Sequence, residues 1–440
     1  MNFQFWRQFC KISHFGNRLF SSLNQYPNNS KSSISSKSFI SPLTMITQVS
    51  ILDPNTFIFS TNDLEDPHFT TTDPNAFQIL EHASKLLSED QVIAIPTETV
   101  YGLASNALSS EAIKKIYLAK NRPSDNPLIV HISSLKMLKS LLPNNSEIPL
   151  IYEPVIKKFW PGPLTILLPK SDLIPSEITC NQPTVAIRFP SHPIARALIS
   201  TFGFPLAAPS ANASGRPSPT LASHVLTDLD KKIPLIIDGD QCNFGVESTV
   251  LDAIGSKDPL ILRPGGVTYE ALVKIPGFEN LKVYNKDFVN KKYEITPITP
   301  GMKYRHYSPD AEMILIDVIS NKVRNIIDRE IQNFKNKTIG ILITQQNAKL
   351  SDNIQTIFMN GPLKCSSVSE NPMKSNRNIL QYILGDSLHP KQIARELFKG
   401  LRYLDECKVD LIFVEGISEE EEGLAVMNRL RKAATRIIYE

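Results

Sequence analysis

Two cationic side chains, Lys120 and Arg122, stand one residue apart at the end of a helical pattern, just before Pro123. Proline disfavours helical geometry at the residue before it and fixes its own backbone, so the turn that follows is rigid. Such a turn would hold both charges where they can bind an anion against the backbone. Lysine and arginine also offset the macrodipole at an ordinary helix end, where proline merely stops the helix. Taken alone, this segment favours the interpretation as an ordinary helix end over that as an anion-binding pair.

A run of small residues at 207–219 is the second segment whose composition suits a binding site. Small side chains let a ligand approach the backbone closely, and Ser210, Asn212 and Ser218 present hydrogen-bond donors along the run. Serine, glycine and proline also make up flexible linkers. Because a predicted strand precedes the run and a predicted helix follows it, we expect an ordered loop along which a nucleotide can lie.

Two arginines, Arg188 and Arg263, end apolar segments that run into a proline. An arginine in such a place is poorly solvated and needs an anionic partner, which is either a ligand or a protein carboxylate. Structural ion pairs are therefore the alternative to a ligand. The carboxylates available for them are those of Asp238, Asp240, Glu247 and Asp252.

Hydroxyl side chains gather in two turns, at 96–103 and 245–249, each close to an apolar segment. Open α/β sheets place ligands at such strand ends, although a capped turn has the same composition. The sequence has no Ser-His-Asp order, nucleophile elbow, CxxC or HExxH motif, so nothing in it supports covalent or metal-hydroxide catalysis. Cations and hydroxyls around turns instead favour a site that positions a polyanion and neutralises its charge, as phosphoryl and nucleotidyl transfer require.

Apolar periodicity predicts an α/β domain at 74–275, with a mixed, twisted open sheet because strands outnumber helices and do not strictly alternate with them. Strands are predicted at 92–95, 128–132, 164–168, 185–189, 206–208, 235–238, 249–251 and 260–262. Helices are predicted near 77–87, 110–120, 150–160, 193–201, 220–229 and 268–274.

Prolines and glycines interrupt the regular pattern over 276–310, which predicts a linker across the surface. Beyond it, at 311–440, strands alternate with amphipathic helices, as in a small Rossmann-like parallel α/β domain. Neither GxGxxG nor GxxxxGK[ST] occurs there, so this fold prediction implies no dinucleotide or P-loop function.

Residues 1–44 differ in composition from the rest, with five basic side chains and no acidic one. The remainder holds 42 basic and 44 acidic residues and is slightly acidic. The segment is rich in serine, asparagine and phenylalanine and resembles a mitochondrial presequence, with a disordered polar tail as the alternative. No apolar run is long enough to span a membrane. Five scattered cysteines form no metal-ligand spacing, which predicts reduced thiols and no structural zinc.

Seven motifs in order resemble the YrdC-like threonylcarbamoyl-AMP synthase family. They are Pro-Thr-Glu-Thr-Val-Tyr-Gly-Leu (96–103), Lys-x-Arg-Pro-x-x-Asn-Pro-Leu-Ile-Val-His (120–131), Trp-Pro-Gly-Pro-Leu-Thr (160–165), Val-Ala-Ile-Arg (185–188), Ala-Pro-Ser-Ala-Asn (208–212), Gly-Val-Glu-Ser-Thr (245–249) and Leu-Arg-Pro-Gly (262–265). Two more motifs, at 300–309 and 427–434, resemble the long form of the family, which has an additional C-terminal domain.

The resemblance implies a nucleotidyltransferase that joins ATP, L-threonine and bicarbonate into threonylcarbamoyl-adenylate and releases pyrophosphate. A downstream tRNA threonylcarbamoyl transferase complex would then modify the adenosine beside the anticodon. Magnesium would be held mainly through the ATP phosphates, without protein metal ligands, and no organic cofactor is implied.

The resemblance also assigns roles to matching positions. Lys120, Arg122, Ser210 and Asn212 would be catalytic. The ATP-binding residues would be Lys120, Arg122, Asn126, Thr184, Ser210, Asn212, Ser218, Arg263, Tyr304 and His306. The threonine-binding residues would be Thr99, His131, Arg188, Ala208 and Ser248. Tyr304 and His306 would belong to a lid that closes over the nucleotide.

Two other functions are weighed against this one. A double-stranded RNA or tRNA-binding module is disfavoured because residues 73–276 hold 18 basic and 19 acidic side chains, which predicts weak or no direct nucleic-acid binding. A carbamoyltransferase of the hydrogenase-maturation type would need acylphosphatase-like and zinc-finger segments that this sequence does not contain.

Met45 directly follows the predicted presequence and offers a second start of translation, so we expect a cytoplasmic and a mitochondrial form. Replacing it, as Met45→Ala in a tagged gene, should deplete the cytosolic pool on cell fractionation while the mitochondrial pool persists. An unchanged cytosolic pool would contradict internal initiation.

Overall fold

The structure, a computed structural model, describes residues 45–60, 64–290, 297–302, 306–318, 322–348, 354–357 and 379–439. The predicted targeting segment 1–44 and Tyr304 of the predicted lid lie outside these residues. The described residues form one compact unit.

The first half of this unit contains thirteen strands and eight α-helices among the described residues. The strands are β1 (Gln48–Ile51), β2 (Phe57–Phe59), β3 (Phe69–Thr71), β4 (Ile93–Ile95), β5 (Gly102–Asn106), β6 (Ile129–His131), β7 (Leu164–Pro169), β8 (Thr184–Arg188), β9 (Leu206–Ala207), β10 (Leu235–Asp238), β11 (Thr249–Asp252), β12 (Leu260–Arg263) and β13 (Lys282–Val283). The helices are α1 (Ala76–Ser88), α2 (Ser110–Lys120), α3 (Leu135–Ser140), α4 (Glu153–Phe159), α5 (Ser176–Thr179), α6 (Pro193–Phe202), α7 (Ala222–Leu229) and α8 (Tyr269–Leu272).

Eleven of these strands form one sheet, in the order β1-β10-β4-β5-β9-β6-β8-β7-β11-β12-β13. Parallel and antiparallel pairs alternate irregularly across it, which confirms the predicted mixed sheet. The sheet extends beyond 74–275 at both ends, since β1 and β13 form its two edges. The edge strand β1 escaped the sequence prediction because its residues are mostly exposed and show no clear alternation.

One register row in this sheet brings the predicted binding residues together. His131 on β6 lies opposite Arg188 on β8, and Arg188 lies opposite Thr165 on β7. Thr165 lies opposite Val250 on β11, which in turn lies opposite Arg263 on β12. Because directly opposed residues share a face of the sheet, motifs far apart in sequence converge on one line.

Helix α2 ends where the sequence predicted. Ser109 caps its start by accepting a hydrogen bond from the Ala112 amide at 3.2 Å. Asn121 ends it in the left-handed conformation, with φ 52°. Lys120 therefore lies in the last turn, and the chain passes through Pro123 to the buried strand β6.

The second half is a six-stranded sheet in the order β16-β17-β15-β18-β14-β19, and every pair in it is parallel. The strands are β14 (Glu312–Asp317), β15 (Ile339–Ile343), β16 (Ile354–Ile357), β17 (Ile379–Ile383), β18 (Leu411–Glu415) and β19 (Arg436–Tyr439). The helices are α9 (Val323–Ile331), α10 (Pro390–Glu406) and α11 (Gly423–Ala433). The predicted Rossmann-like parallel domain is confirmed.

An apolar cluster joins the two halves. Val100 and Val246 of the first half are buried in the same cluster as Leu397 and Phe398 of α10 and Met427 of α11. Helices α10 and α11 therefore cover the turns that carry two of the sequence motifs. Among the described residues, no helix combines the length and apolarity that a membrane crossing needs.

Candidate active site

Most of the predicted site residues line one cleft. Its empty volume is about 700 Å³, including the part that is open to solvent. Twelve predicted residues line it: Thr99, Lys120, Arg122, His131, Arg188, Ala208, Ser210, Asn212, Ser218, Ser248, Arg263 and His306. A cleft with convergent polar groups is the usual form of a small-molecule site.

Two predicted ATP ligands, Thr184 and Asn126, are not among the lining residues. Thr184 begins β8, and Arg188 ends it. Four residues of extended chain place the two about 13 Å apart. Asn126 is buried, and neither atom of its side-chain amide has a hydrogen-bond partner among the described residues. Because an unpaired buried amide is costly, a ligand that bound it would gain affinity.

Lys120 ties the end of α2 to the small-residue loop. Its side chain is 2% exposed, and its ammonium donates to the carbonyl oxygens of Ser210 and Asn212, the latter at 2.6 Å. Burial, together with the neighbouring charge of Arg122, holds the pKa of Lys120 well below its ordinary value. Removing this side chain would leave two carbonyl groups of the loop without their donor.

The loop and the turn after α2 are both held by internal hydrogen bonds. Asn212 donates from its amide nitrogen to the carbonyl oxygens of Ala213 and Arg216, at 2.8 and 2.9 Å. Arg122 donates to the carbonyl oxygens of Asn126 and Pro127, at 3.2 and 3.0 Å. The prediction of an ordered loop rather than a linker is confirmed, because these bonds fix its backbone.

Arg188 is 4% exposed, and its guanidinium contacts three protein groups. It donates to the Thr99 hydroxyl at 2.8 Å and to the Gly162 carbonyl oxygen at 3.3 Å. Its ion pair, at 2.7 Å, is with Glu98 and not with any of the four carboxylates that the sequence made available. Burial disfavours the Glu98 carboxylate, but the charge of Arg188 outweighs this and lowers the pKa of Glu98. Glu98 was missed, although it directly precedes Thr99.

His131 is neutral in this setting. Burial, with the charge of Arg188 beside it, lowers the pKa of His131 to about 3. Its Nδ1 lies 3.2 Å from the carbonyl oxygen of Ile129, so Nδ1 carries the proton and donates. Nε2 is then left with a lone pair, which can accept a hydrogen bond from a hydroxyl or an amine.

Arg263 holds the turn at Ser248. It donates to the Ser248 carbonyl oxygen at 2.9 and 3.1 Å and to the Ser248 hydroxyl at 3.1 Å. The hydroxyl also bonds to Thr165 at 2.8 Å. Gly265 lets its own backbone lie close to the backbone of this turn, since a Cβ there would lie 2.3 Å from the Glu247 carbonyl oxygen.

Ser218 differs from the sequence prediction in its hydrogen-bonding role. Its hydroxyl donates to Glu247 Oε1 at 2.5 Å. Burial raises the pKa of Glu247, but the charges of Arg429 and Arg263 outweigh it and lower that pKa, so the carboxylate is ionised and accepts. The single hydroxyl proton is thus committed to Glu247. Ser218 offers the cleft lone pairs, and the prediction of a donor there is wrong.

Several residues at the cleft were missed by sequence reasoning. Glu247, Tyr307 and Gly301 line it, and Arg429 and Lys432 of α11 contact lining residues from the second half. Glu247 belongs to a quoted motif, but no local pattern marks Arg429 as its partner 182 residues away.

Metal ligands are few at this site. Among the described residues, no three histidine, cysteine, aspartate or glutamate side chains cluster as a metal site would require. Of the described residues that line the cleft, Glu247 alone carries a carboxylate, and it is paired with Arg429 at 3.0 Å. The donor set therefore fits a magnesium ion only if the ion's other ligands come from a bound polyphosphate and water.

Comparison with known proteins places both halves in one family. Residues 85–265 match the Sua5/YciO/YrdC family, described as telomere recombination, and residues 267–435 match the C-terminal domain of threonylcarbamoyl-AMP synthase. The threonylcarbamoyl-AMP synthase of Schizosaccharomyces pombe is 41% identical over 90% of this chain and 99% of its own. That of Pyrococcus abyssi is 44% identical over 80% of this chain and 93% of its own.

The fold is also similar to a solved structure. The crystal structure of P. abyssi Sua5 complexed with L-threonine has a TM-score of 0.72 and 39% identity, and the match covers 90% of this chain and all of that one. The resemblance that the sequence motifs indicated is confirmed at the level of the whole two-part architecture. The chain belongs to the threonylcarbamoyl-AMP synthase family.

Proposed function

We propose that this protein joins ATP, L-threonine and bicarbonate into threonylcarbamoyl-adenylate, with release of pyrophosphate, as a nucleotidyltransferase. The observation that carries the proposal is the single cleft in which Lys120, Arg188 and Arg263 are buried together with hydroxyls and a neutral histidine. The names of the relatives and the threonine-bound P. abyssi structure support it.

Threonine would bind at the His131 and Arg188 end of the register row. Arg188 would hold its carboxylate, as a guanidinium fork does. The lone pair of His131 Nε2 would accept a hydrogen bond from its hydroxyl or amine, and Thr99, Ala208 and Ser248 would complete the contact surface. Glu98 already faces the same guanidinium, so the threonine carboxylate would share Arg188 with it.

The reaction would proceed by positioning and charge neutralisation. The threonine amine takes up the CO2 that bicarbonate yields, and the proton it loses joins the hydroxide left from bicarbonate as water, which gives a carbamate. A carbamate oxygen attacks the α-phosphorus of ATP in line with the leaving group. The bond between the α-phosphorus and the oxygen that bridges it to the β-phosphorus breaks, and pyrophosphate leaves with the electron pair of that bond. Lys120, Arg122 and Arg263 would neutralise the charge that develops on the phosphates.

The remaining nucleotide contacts would come from the small-residue loop and the turn after α2, with Ser210 and Asn212 shaping the loop and the buried Asn126 amide gaining partners from the ligand. Magnesium bound with ATP would offset the phosphate charge. His306 lies in the cleft wall, where burial lowers its pKa to about 3, so it would cover the nucleotide in its neutral form.

The product would serve a tRNA threonylcarbamoyl transferase complex, with no strong nucleic-acid contact by this chain itself. We place the protein in the cytoplasm, with a mitochondrial form that uses residues 1–44. Both assignments rest on family resemblance and composition.

The proposed reaction predicts that pyrophosphate release by the purified full chain requires all three substrates. Omitting L-threonine or bicarbonate should reduce the release to background, because neither ATP hydrolysis nor threonine adenylation is the proposed chemistry. Pyrophosphate is followed by a coupled assay, with CO2-free buffer as the control for bicarbonate. Release that is indifferent to threonine or bicarbonate would rule out the synthase.

The cationic turn predicts a second result. Lys120→Ala and Arg122→Ala should each lower turnover by about 10²-fold or more, the typical effect of losing a group that stabilises transition-state charge. The matched control is Lys114→Ala on the exposed face of the same helix, where Lys114 pairs with Glu111 at 2.7 Å. Near-normal turnover in a folded Lys120→Ala or Arg122→Ala protein would show that the two cations only offset the macrodipole at the end of α2.

A further inference from the structure

Two helices of the second half each send a buried arginine to the first half. Arg402 of α10 is 2% exposed, and Arg429 of α11 is 1% exposed. Burying a guanidinium is unfavourable unless it is paired and hydrogen-bonded, so the partners of each one determine what it does.

Arg402 fixes the loop at Pro217. Its Nε donates to the Pro217 carbonyl oxygen at 3.0 Å, and its Nη2 pairs with Asp228 at 2.8 Å. The same Asp228 carboxylate accepts from the Ala213 amide at 3.0 Å. Arg402 and Asp228 together therefore hold both ends of the stretch that follows Asn212.

Arg429 contacts Ser218, the next residue of that loop, indirectly through Glu247. It donates from Nε and Nη2 to Glu247 Oε2, at 3.1 and 3.0 Å, and from Nη1 to the Pro264 carbonyl oxygen. The other carboxylate oxygen, Oε1, accepts the proton of Ser218. Pro217 and Ser218 are adjacent, so helices α10 and α11 hold consecutive residues of the nucleotide loop.

A third contact comes from the same face of α11. Lys432, one turn after Arg429, donates to the Gly301 carbonyl oxygen, and Gly301 lines the cleft beside Arg263. The Arg429 guanidinium also lies 5.7 Å from the ring centre of Tyr307, another lining residue. Helix α11 thus contacts the cleft wall at several lining residues and does not merely cover its outer side.

We propose that Arg429 is a positioning residue for the nucleotide subsite: by holding Glu247, it fixes the Ser218 hydroxyl as an acceptor that faces the cleft. The inference rests on the proposed function, since it assigns the loop to ATP. Ser218 has no proton left to give, and ionised phosphates have none either, so a hydrogen bond between Ser218 and ATP would have to come from a donor on its nucleoside part. Without Arg429 the buried Glu247 would lose its counter-charge, and the serine rotor would lose its fixed acceptor.

The test measures ATP and L-threonine binding to the full chain by calorimetry. Arg429→Lys keeps a positive charge beside Glu247 but cannot reproduce the forked contact, so it should raise the Kd for ATP roughly tenfold, the effect of one well-placed hydrogen bond. The Kd for threonine should stay within about twofold. The matched control is Arg431→Lys on the same helix, which pairs with Asp317 and Glu419 inside the second half and should leave both constants unchanged.

A double-variant cycle separates positioning from general destabilisation. Ser218→Ala should weaken ATP binding by a similar factor, and Arg429→Lys combined with Ser218→Ala should be no weaker than the poorer single variant, because both remove the same contact. Three outcomes would each overturn the proposal. The ATP affinity losses of the two single variants could multiply in the double variant, the ATP Kd of Arg429→Lys could stay unchanged, or Arg429→Lys could lose as much affinity for threonine as for ATP. Failure of the unaltered protein to bind ATP would instead refute the proposed function.

Discussion

The burial of five cationic side chains around one cleft is the constraint on which the rest of the structure depends. Lys120, Arg188, Arg263, Arg402 and Arg429 are all nearly inaccessible to solvent. A buried charge is tolerated only with partners, and here the partners are backbone carbonyl groups and the carboxylates of Glu98, Asp228 and Glu247. Most of these partners belong to loops, and Asp228 of α7 itself accepts from the Ala213 amide of the small-residue loop, so satisfying the cations also fixes the loops. The same arrangement leaves a positive cleft that suits a polyphosphate and a carboxylate.

The two halves of the molecule divide this task. The mixed sheet aligns His131, Arg188 and Arg263 through strand register, a rigid source of geometry. The loops have no strand register to fix their geometry, and the second half holds them in place through the hydrogen bonds of Arg402 and Arg429. The parallel sheet at 312–439 is thereby tied to the chemistry of the first half, although it contributes no motif of a nucleotide-binding Rossmann fold.

Local patterns predicted most of the helices and strands and marked the motifs, because strand periodicity, the proline after α2 and the hydroxyl-rich turns are all encoded in short stretches of sequence. The structure added what depends on long-range pairing. Glu98 and Arg188 are 90 residues apart, and Glu247 meets Arg429 across 182, so no window of sequence shows either pair. The hydrogen-bonding direction of Ser218 follows from Glu247 alone and could not be read from the loop. Thr184 shows the converse, since a residue next to a motif can lie at the far end of its strand from the cleft.

The central claim is that ATP and threonine meet in this cleft, with the threonine carboxylate on Arg188 and the triphosphate beside Lys120 and Arg122. A crystal structure of the protein with L-threonine and a non-hydrolysable ATP analogue tests it most directly. The account predicts the carboxylate within hydrogen-bond distance of the Arg188 guanidinium and the nucleoside against Ser218. Either ligand bound outside the cleft, or threonine bound with its carboxylate away from Arg188, would contradict it.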